Sequence, residues 1–232
     1  MKVSQFVFLI IFIISLSFDV AAHRPIEITG SATSDNPVVI KDHRISQVAY
    51  TKLSGKRDVD YYLLSSVKKG EKIYTQLLIP QIDRLKYFEP EIAIIGPKLN
   101  TETDGINKVV IKELLEIENQ QGIIIKRNTK KGKTFFEPFT QTAYWERQEI
   151  EITAPVGGNY QIAVFDIKDD AGKYVLTIGE EEKWGLKDLI RIPGIWWNVR
   201  MFAEKRISTY IISGILIILS SFLIYRFIIY LL

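Results

Sequence analysis

The sequence predicts an all-β protein, an antiparallel jelly-roll-like β-sandwich, followed by an amphipathic segment and one apolar C-terminal helix. Apolar and polar residues alternate with a period of two between residues 24 and 183, the pattern of half-buried strands. Turn-forming residues recur at intervals of about eight to twelve residues, which is typical of sandwiches. A long uncharged run near the C-terminus then predicts a membrane span.

The predicted strands follow one another with mostly short connections. Residues 72–80 show the clearest alternation, and a Lys-Gly turn at Gly70 separates them from the preceding strand. Helical periodicity is weak over residues 109–119, whose apolar positions do not settle on one face, so this segment has no clear assignment. The strands are predicted over residues 37–40, 44–50, 58–67, 72–80, 91–97, 122–127, 148–155, 158–167 and 172–180.

Residues 1–22 have the pattern of a secretory signal peptide. Lys2 supplies a basic start, an apolar region follows, and Ala21 and Ala22 supply small residues for cleavage. Cleavage after Ala22 leaves residues 23–183 as an extracytoplasmic β-sandwich domain. The alternative is an uncleaved N-terminal anchor, for which the apolar region is short.

Residues 208–232 form the predicted transmembrane helix. No charge occurs between Thr209 and Tyr225, and the run is long enough to cross a hydrocarbon core of about 30 Å. The positive-inside tendency favours the opposite orientation, because three basic residues precede the run and Arg226 alone lies near its other end. The signal peptide nevertheless predicts a single-pass protein with its domain outside the cell membrane, since it commits the following chain to export.

Residues 184–207 join the domain to this helix. They combine aromatic and basic residues with one Pro-Gly break, which predicts an amphipathic helix at the membrane surface. Indole rings then lie at the headgroup level and basic side chains meet anionic lipid. The alternative is a helix packed on the sandwich. The predicted membrane-interface residues are Trp196, Trp197, Arg200 and Phe202.

The composition excludes several kinds of chemistry. The chain contains no cysteine, which excludes disulfides, thiolate nucleophiles and cysteine-ligated metals. A net charge of +3 with interleaved signs gives no indication of a nucleic-acid partner. Nucleophile-elbow, phosphate-loop and zinc-protease motifs are absent, and two histidines are too few for a defensible Ser-His-Asp arrangement. We therefore expect a protein that is not an enzyme and uses no cofactor.

Two segments resemble the pre-peptidase C-terminal (PPC) domain family, a small jelly-roll-like β-sandwich. The first carries an Asp-x-Asp-Tyr-Tyr strand and a Lys-Gly turn, and the second a Gly-x-Tyr strand followed by a Tyr-x-Leu strand. The resemblance covers about residues 45–180, apart from a longer segment over 81–147, and implies a sandwich without a catalytic residue. The chain as a whole looks like exported proteins with a single membrane anchor. The matching residues are Asp58, Asp60, Tyr61, Tyr62, Gly70, Gly158, Tyr160, Gly172, Tyr174 and Leu176.

These motif residues have structural interpretations. Tyr61 and Tyr62 point to opposite faces of one strand, so we expect one in the core and one on the surface. Asp58 and Asp60 are expected to cap a turn, with calcium binding as the alternative.

A histidine at the predicted mature N-terminus suggests a copper site. The α-amino group and imidazole of His23 form a chelate, and His43, the other histidine, supplies a further nitrogen. The alternative is that both are ordinary surface or core residues. A second candidate, Asp166 with Asp169 and Asp170, lacks the ligand spacing of a calcium loop, which favours a solvated hairpin turn.

Residues 135–148 crowd aromatic rings beside polar groups. Such stretches form binding platforms for sugars or peptides, and the alternative is core packing under a long loop. Glu137 and Glu146 as a glycosidase pair have no supporting motif. The predicted platform residues are Phe139, Tyr144, Trp145, Glu137 and Arg147.

Together these features predict a membrane-anchored extracytoplasmic module that binds or scaffolds without catalysis. Besides the membrane, the expected partner is another envelope protein or a surface glycan. The alternative function is copper binding or copper delivery through His23 and His43.

Overall fold

We analysed a computed structural model of the chain. The structure describes residues 23–26, 28, 32–55, 57–115, 117, 121–127, 129–130, 132–183 and 186–231. The predicted signal peptide, residues 1–22, and its cleavage site lie outside these residues.

Two sheets face each other across the main core, which confirms the predicted β-sandwich. The strands are β1 Arg24–Pro25, β2 Val38–Ile40, β3 Gln47–Leu53, β4 Val59–Val67, β5 Lys72–Pro80, β6 Glu91–Pro97, β7 Gln121–Ile124, β8 Thr134–Glu137, β9 Thr142–Thr153, β10 Gly158–Phe165 and β11 Gly172–Ile178. The six-stranded sheet has the order β1-β3-β11-β5-β9-β8, and the five-stranded sheet has the order β2-β4-β10-β6-β7. Most neighbours are antiparallel, whereas the β1–β3 and β2–β4 pairs are parallel.

As predicted, Gly70 adopts a φ of +83° in the turn between β4 and β5, a conformation that favours glycine.

The helical elements flank this sandwich. The helical elements are a 3-10 turn (Asp83–Leu85), α1 (Lys108–Leu114), α2 (Leu186–Phe202) and α3 (Arg206–Leu231).

A buried polar group lies in the core between the sheets. Tyr174 on β11 donates a 2.5 Å hydrogen bond to Asp60 on β4, and its hydroxyl lies 2.9 Å from that of Tyr62. Both tyrosines are completely buried, so their hydroxyls require such partners. The expectation that Asp60 caps a turn is therefore corrected, because its carboxyl group joins the two sheets.

Helix α1 covers the outer face of the five-stranded sheet. Tyr61 is 4% exposed and lies in a cluster with Phe165 of β10 and Ile111 of α1. Tyr61 and Tyr62 thus point to opposite faces, as predicted, but neither lies at the surface. The expectation of a solvent-facing tyrosine was wrong because a helix buries the outer face as well.

The C-terminal part of α2 packs on the outer face of the six-stranded sheet. Phe202 meets Tyr50 of β3 edge to face, with ring centroids 5.4 Å apart. Both rings lie against a small cluster that includes Val48 and Val175, and Val199 of α2 is also buried. For this part of the segment, the structure supports the alternative of a helix packed on the sandwich.

The β8–β9 hairpin is the main departure from the predicted strands. Strand β9 begins at Thr142, well before the predicted start at residue 148. Its register against β5 shifts where Leu77 pairs with Gln148 and Leu78 with Glu146, so Arg147 is the extra residue of a bulge. A bulge changes the phase of the apolar alternation, which explains why the pattern hides this half of the strand.

Helix α3 is long and apolar enough to cross a membrane, alone among the described helices. Its segment Arg206–Tyr230 has a mean hydropathy of 2.2 and is only 6% buried against the rest of the protein. Large apolar side chains from Ile207 to Tyr230 are exposed along it. An exposed helix of this length and composition could span a membrane, in agreement with the predicted C-terminal span.

The substitution Asp60→Asn tests the buried carboxyl group. Burial raises the pKa of Asp60 from 3.8 to about 6, although the bond from Tyr174 acts in the opposite direction. A raised pKa in the folded state means that the carboxyl group favours folding below 3.8 and loses this contribution as the pH rises through about 6. Asparagine stays neutral and still accepts the bond from Tyr174.

We expect the free energy of unfolding of Asp60→Asn, relative to wild type, to rise with pH by up to about 3 kcal/mol across this window. Urea unfolding of the full chain in neutral detergent micelles at several pH values measures the difference. Asp35→Asn provides the matched control, because it makes the same change in an exposed side chain. A constant difference for Asp60→Asn would show that its carboxyl group titrates normally in the folded chain.

Candidate functional site

The candidate site is the place where the sandwich, α2 and α3 meet, which we call the junction. The chain turns sharply between the two helices, and backbone hydrogen bonds order the turn. The amides of Ala203, Glu204 and Lys205 donate to carbonyl groups of the last turn of α2 at 2.9, 3.2 and 2.9 Å. The junction consists of α2 residues 196–202, the turn 203–205, α3 residues 206–210, the β8–β9 turn 138–141 and the 3-10 turn.

Arg200 binds two other parts of the junction at once from its position in α2. Its Nη1 donates to the carbonyl oxygen of Thr140 at 2.7 Å and to Oε1 of Gln141 at 3.3 Å, both in the β8–β9 turn. Its Nη2 donates to Oγ of Ser208 at 2.6 Å, and its Nε donates to Oγ1 of Thr209 at 3.0 Å. One planar guanidinium therefore joins α2, the first turn of α3 and the sandwich.

The side chain of Arg200 is only 2% exposed, which corrects the prediction that it meets anionic lipid. Its guanidinium stacks on Trp196, with Cζ 4.8 Å from the ring centroid. Burial lowers the pKa of this group, but an arginine remains protonated at neutral pH. A buried cation is expensive unless hydrogen bonds satisfy it. The surrounding oxygens meet this requirement. They accept hydrogen bonds from the N–H groups that would otherwise be available to lipid phosphates.

Glu204 holds the turn between the helices from another side. Its carboxylate accepts hydrogen bonds from both terminal nitrogens of Arg84, at 2.7 and 2.5 Å, and from Lys173 at 2.8 Å. Lys173 also donates to the carbonyl of Phe202 at 2.9 Å. The hydrogen bonds from Arg84 and Lys173 lower the pKa of Glu204 to about 2. The 3-10 turn and β11 are thereby tied to the start of α3.

The other predicted membrane-interface residues divide into two groups. Phe202 packs on Tyr50, so its assignment to the lipid interface is corrected in the same way as that of Arg200. Trp196 and Trp197 are half-buried at the junction. Trp197 meets Tyr210 of α3 edge to face at 5.6 Å, which places an indole ring beside the start of the apolar helix. An interfacial position for these two residues stays a prediction.

The predicted platform residues mainly build the β8–β9 hairpin. Glu137 closes the turn, accepting hydrogen bonds from the amides of Phe139 at 3.0 Å and Thr140 at 2.5 Å, and from the Thr140 hydroxyl. Tyr144 is 2% exposed and receives a 2.9 Å bond from Thr142. Tyr144 therefore cannot offer a surface for a sugar or peptide, and its place in the platform is corrected.

The remaining platform residues are also engaged within the protein. Arg147 donates to the carbonyl groups of Phe88 at 3.2 Å and Lys86 at 2.7 Å, and it stacks over Trp145 at 5.5 Å. Trp145 packs against the main core, and Phe139 is half-buried. The exposed aromatic side chains of the hairpin are instead Phe135 and Phe136 of β8, at 37% and 58% exposure.

The two histidines lie in different surroundings. Nδ1 of His23 shares a short hydrogen bond with the hydroxyl of Ser46, whereas Nε2 of His43 lies 3.7 Å from a carboxylate oxygen of Glu71. Burial lowers the pKa of both imidazoles. Within the described residues, no group of three or more histidine, aspartate or glutamate side chains is arranged to hold a metal ion. The arrangement adds no support to the copper hypothesis.

The aspartates considered as calcium ligands stabilise turns. Oδ2 of Asp58 accepts 2.7 Å bonds from the amide and hydroxyl of Ser54, as expected of a turn cap. In the β10–β11 hairpin, Asp166 accepts bonds from the amides of Lys168 and Asp170 at 2.7 and 3.2 Å. Asp169 instead accepts a 2.5 Å bond from the amide of Arg57. These contacts fit the turn interpretation.

Several cavities lined by the described residues lie away from the junction's hydrogen bonds, and two of them contain predicted site residues. A groove of about 590 Å³ runs between α2 and the β1–β3 edge, lined by residues such as Ile26, Tyr50 and Ile195. A smaller pocket of about 210 Å³ contains His43 and Glu71 at the other end of the sandwich. Neither brings together a nucleophile and a base.

No family model and no curated protein matches this chain, so the resemblance to the PPC family stays a prediction. One similar solved structure is PliG from Aeromonas hydrophila, a periplasmic inhibitor of g-type lysozyme. It is 12% identical with a TM-score of 0.29, and the match covers 68% of this chain and 95% of PliG. Another is CorA from Methylomicrobium album BG8, a surface-associated copper-binding protein. It is 11% identical with a TM-score of 0.29, covering 66% of this chain and 98% of CorA. Similarities this low carry no argument about function.

No sequence pattern pointed to several of the junction residues. Glu204 lies 120 positions from Arg84 and 31 from Lys173, so no local pattern links them. Thr140 contributes a backbone carbonyl, which any residue supplies. A single arginine placed among aromatic residues just before an apolar run was the available signal, and it had two interpretations.

The substitution Arg200→Lys tests the junction. A lysine keeps the charge but has no planar fork, so it cannot serve the β8–β9 turn and α3 together or stack equally on Trp196. We expect the free energy of local opening of residues 199–209 to fall by roughly 2 kcal/mol. This fall corresponds to amide hydrogen exchange about thirtyfold faster. Hydrogen exchange of the full chain in micelles, followed peptide by peptide, measures this change.

Arg206→Lys is the matched control, because Arg206 is exposed at the first residue of α3. It should leave exchange near the wild-type rate. If Arg200→Lys and wild type exchange alike over residues 138–141 and 199–209, the guanidinium does not hold the junction together.

Proposed function

We propose that this chain is a membrane-anchored, extracytoplasmic binding or scaffolding module that acts without catalysis, with another envelope protein as its partner. The junction is the observation that carries the proposal. Hydrogen bonds that Arg200 donates and Glu204 accepts fix the sandwich directly to the apolar helix. A flexible linker would let a domain search a large volume. A fixed attachment instead presents one surface at a constant height and orientation.

Two buried carboxyl groups form hydrogen bonds within the sandwich, which supports a binding role over a catalytic one. Asp60 is committed to Tyr174, and the buried carboxylate of Glu91 accepts a 2.6 Å bond from Arg127. These buried groups lie within the sandwich and hold strands and loops together. Catalytic acids and bases usually face a cleft where a substrate can reach them.

Two observations support an extracytoplasmic position. Residues 1–22 have the signal-peptide pattern. Arg200 is enclosed by the protein, so it does not act as a free charge beside the membrane. Lys205 and Arg206 then remain before the span, against Arg226 near its other end. The charge difference that opposed this orientation is therefore smaller than the sequence suggests.

The arrangement favours a protein partner over a surface glycan. The aromatic stretch that suggested sugar binding is largely used inside the hairpin, with Tyr144 buried and Trp145 covered by Arg147. Copper delivery has less support, because Nδ1 of His23 shares a hydrogen bond with the hydroxyl of Ser46.

Cross-linking in the membranes of the native host, followed by affinity purification of the full chain, tests the proposal. Three forms are compared: the wild type, a variant with a flexible Gly-Ser insertion after Lys205, and residues 200–232 fused to an unrelated domain. We expect a defined envelope protein to be enriched with the wild type. Its recovery should fall severalfold with the insertion, because the sandwich loses its fixed orientation, and the anchor fusion should not recover it.

The outcomes separate the parts of the proposal. Equal recovery with the wild type and the insertion variant would reject the role of fixed orientation. Enrichment of the same proteins by the anchor fusion would show that the sandwich is not the binding module.

A further inference from the structure

The first turn of α3 lies at the headgroup level if the helix spans the membrane. α3 contains 26 residues and is therefore about 39 Å long at about 1.5 Å per residue. The hydrocarbon core is about 30 Å thick, and the headgroup layers extend beyond it on both sides. The ends of the helix project into these layers. Ser208 and Thr209, in the first turn, then lie among the headgroups.

The β8–β9 turn is fixed at the same level. The guanidinium of Arg200 binds Ser208 and Thr209 of α3 together with the carbonyl of Thr140. Groups that share one guanidinium lie within a few ångströms of each other. The hairpin therefore meets the membrane surface beside the helix. Phe136, four residues before Thr140, is 58% exposed on this hairpin.

The 3-10 turn is fixed at this level through a separate contact. Glu204, two residues before α3, binds both terminal nitrogens of Arg84 in that turn. Tyr87 follows the turn and is 78% exposed, with Nζ of Lys86 5.7 Å from the centroid of its ring. Aromatic side chains with one polar end are typical of membrane–water interfaces.

Basic residues accompany both aromatic side chains. Lys86 precedes Tyr87, and the exposed Lys133 precedes β8. Lys205 and Arg206 are exposed at the start of α3. Such charges are attracted to anionic headgroups. Asp83 in the 3-10 turn offsets part of this positive charge. The position and aromatic character of Phe136 and Tyr87 are therefore stronger evidence for contact with lipid than the basic residues are.

We infer that the sandwich rests on the lipid surface through two contacts on separate elements around the base of α3, Phe136 of the β8–β9 hairpin and Tyr87 after the 3-10 turn. The partner of this surface is the headgroup layer of the membrane that holds the anchor. The inference assumes the membrane span of the proposed function but not its protein partner. It also gives the exposed part of the aromatic stretch a role other than ligand binding.

Single cysteines test this inference cleanly because the chain has none of its own. The full chain is reconstituted in vesicles of phosphatidylcholine and phosphatidylglycerol, carrying an environment-sensitive NBD label at one position. The variants are Phe136→Cys, Tyr87→Cys, Lys69→Cys and Ile218→Cys. Nitroxide lipids with the spin label on the headgroup or on the acyl chain then report which labels touch lipid.

Lys69 and Ile218 provide the matched controls. Lys69 is exposed in the turn before β5, and the nine residues of that strand place it about 30 Å from the 3-10 turn. Ile218 lies in the middle of α3 and is 69% exposed. Its quenching by acyl-chain nitroxides establishes that the helix is inserted.

We expect headgroup nitroxides to quench the labels at positions 136 and 87 at least threefold more strongly than the label at position 69. Quenching at position 218 alone would overturn the inference while leaving the anchor intact. Absence of quenching at position 218 would overturn both the span and the inference. Blue-shifted emission at positions 136 and 87 without lipid quenching would mean that protein covers these side chains, which also overturns it.

Discussion

The buried guanidinium of Arg200 is the constraint on which the arrangement of this protein depends. A positive charge removed from water is stable only when oxygen atoms replace its hydration. Here the oxygens come from the β8–β9 turn and from the first turn of α3. Because the donors lie in one rigid plane, satisfying all of them fixes two helices and a hairpin relative to one another. Glu204 adds a second attachment through Arg84 and Lys173.

The layered packing of the sandwich explains which surfaces remain for binding. Helix α1 covers one outer face, and the end of α2 covers part of the other. Three groups at the centre, Asp60, Tyr62 and Tyr174, connect the sheets through hydrogen bonds. The end of the sandwich opposite the junction, near Lys69, is open to solvent. That opposite end and the exposed side of α1 are therefore the surfaces that the junction leaves uncovered.

The aromatic stretch over residues 135–148 shows how one pattern supports different roles. The sequence suggests a binding platform there, yet Glu137 closes a turn and Tyr144 is buried. Arg147 is the extra residue of a β-bulge, and this shift in alternation conceals the strand that contains it. The aromatic side chains left exposed are those of β8, close to the base of α3. Their position next to the start of α3, more than their type, determines what they can contact.

The sequence by itself determined the features that depend on local periodicity. Alternation located strand β5 to the residue, and an apolar run ending at Gly-Pro located β6. Glycine marked the β4–β5 turn, and an uncharged run predicted α3. Only the tertiary structure decided where Arg200, Glu204 and Tyr61 lie. Arg200 binds a backbone carbonyl, and Glu204 binds a residue 120 positions away. Tyr61 lies under a helix that covers an outer face. Burial and pairing of this kind arise when distant segments pack together, and no short window of sequence contains that information.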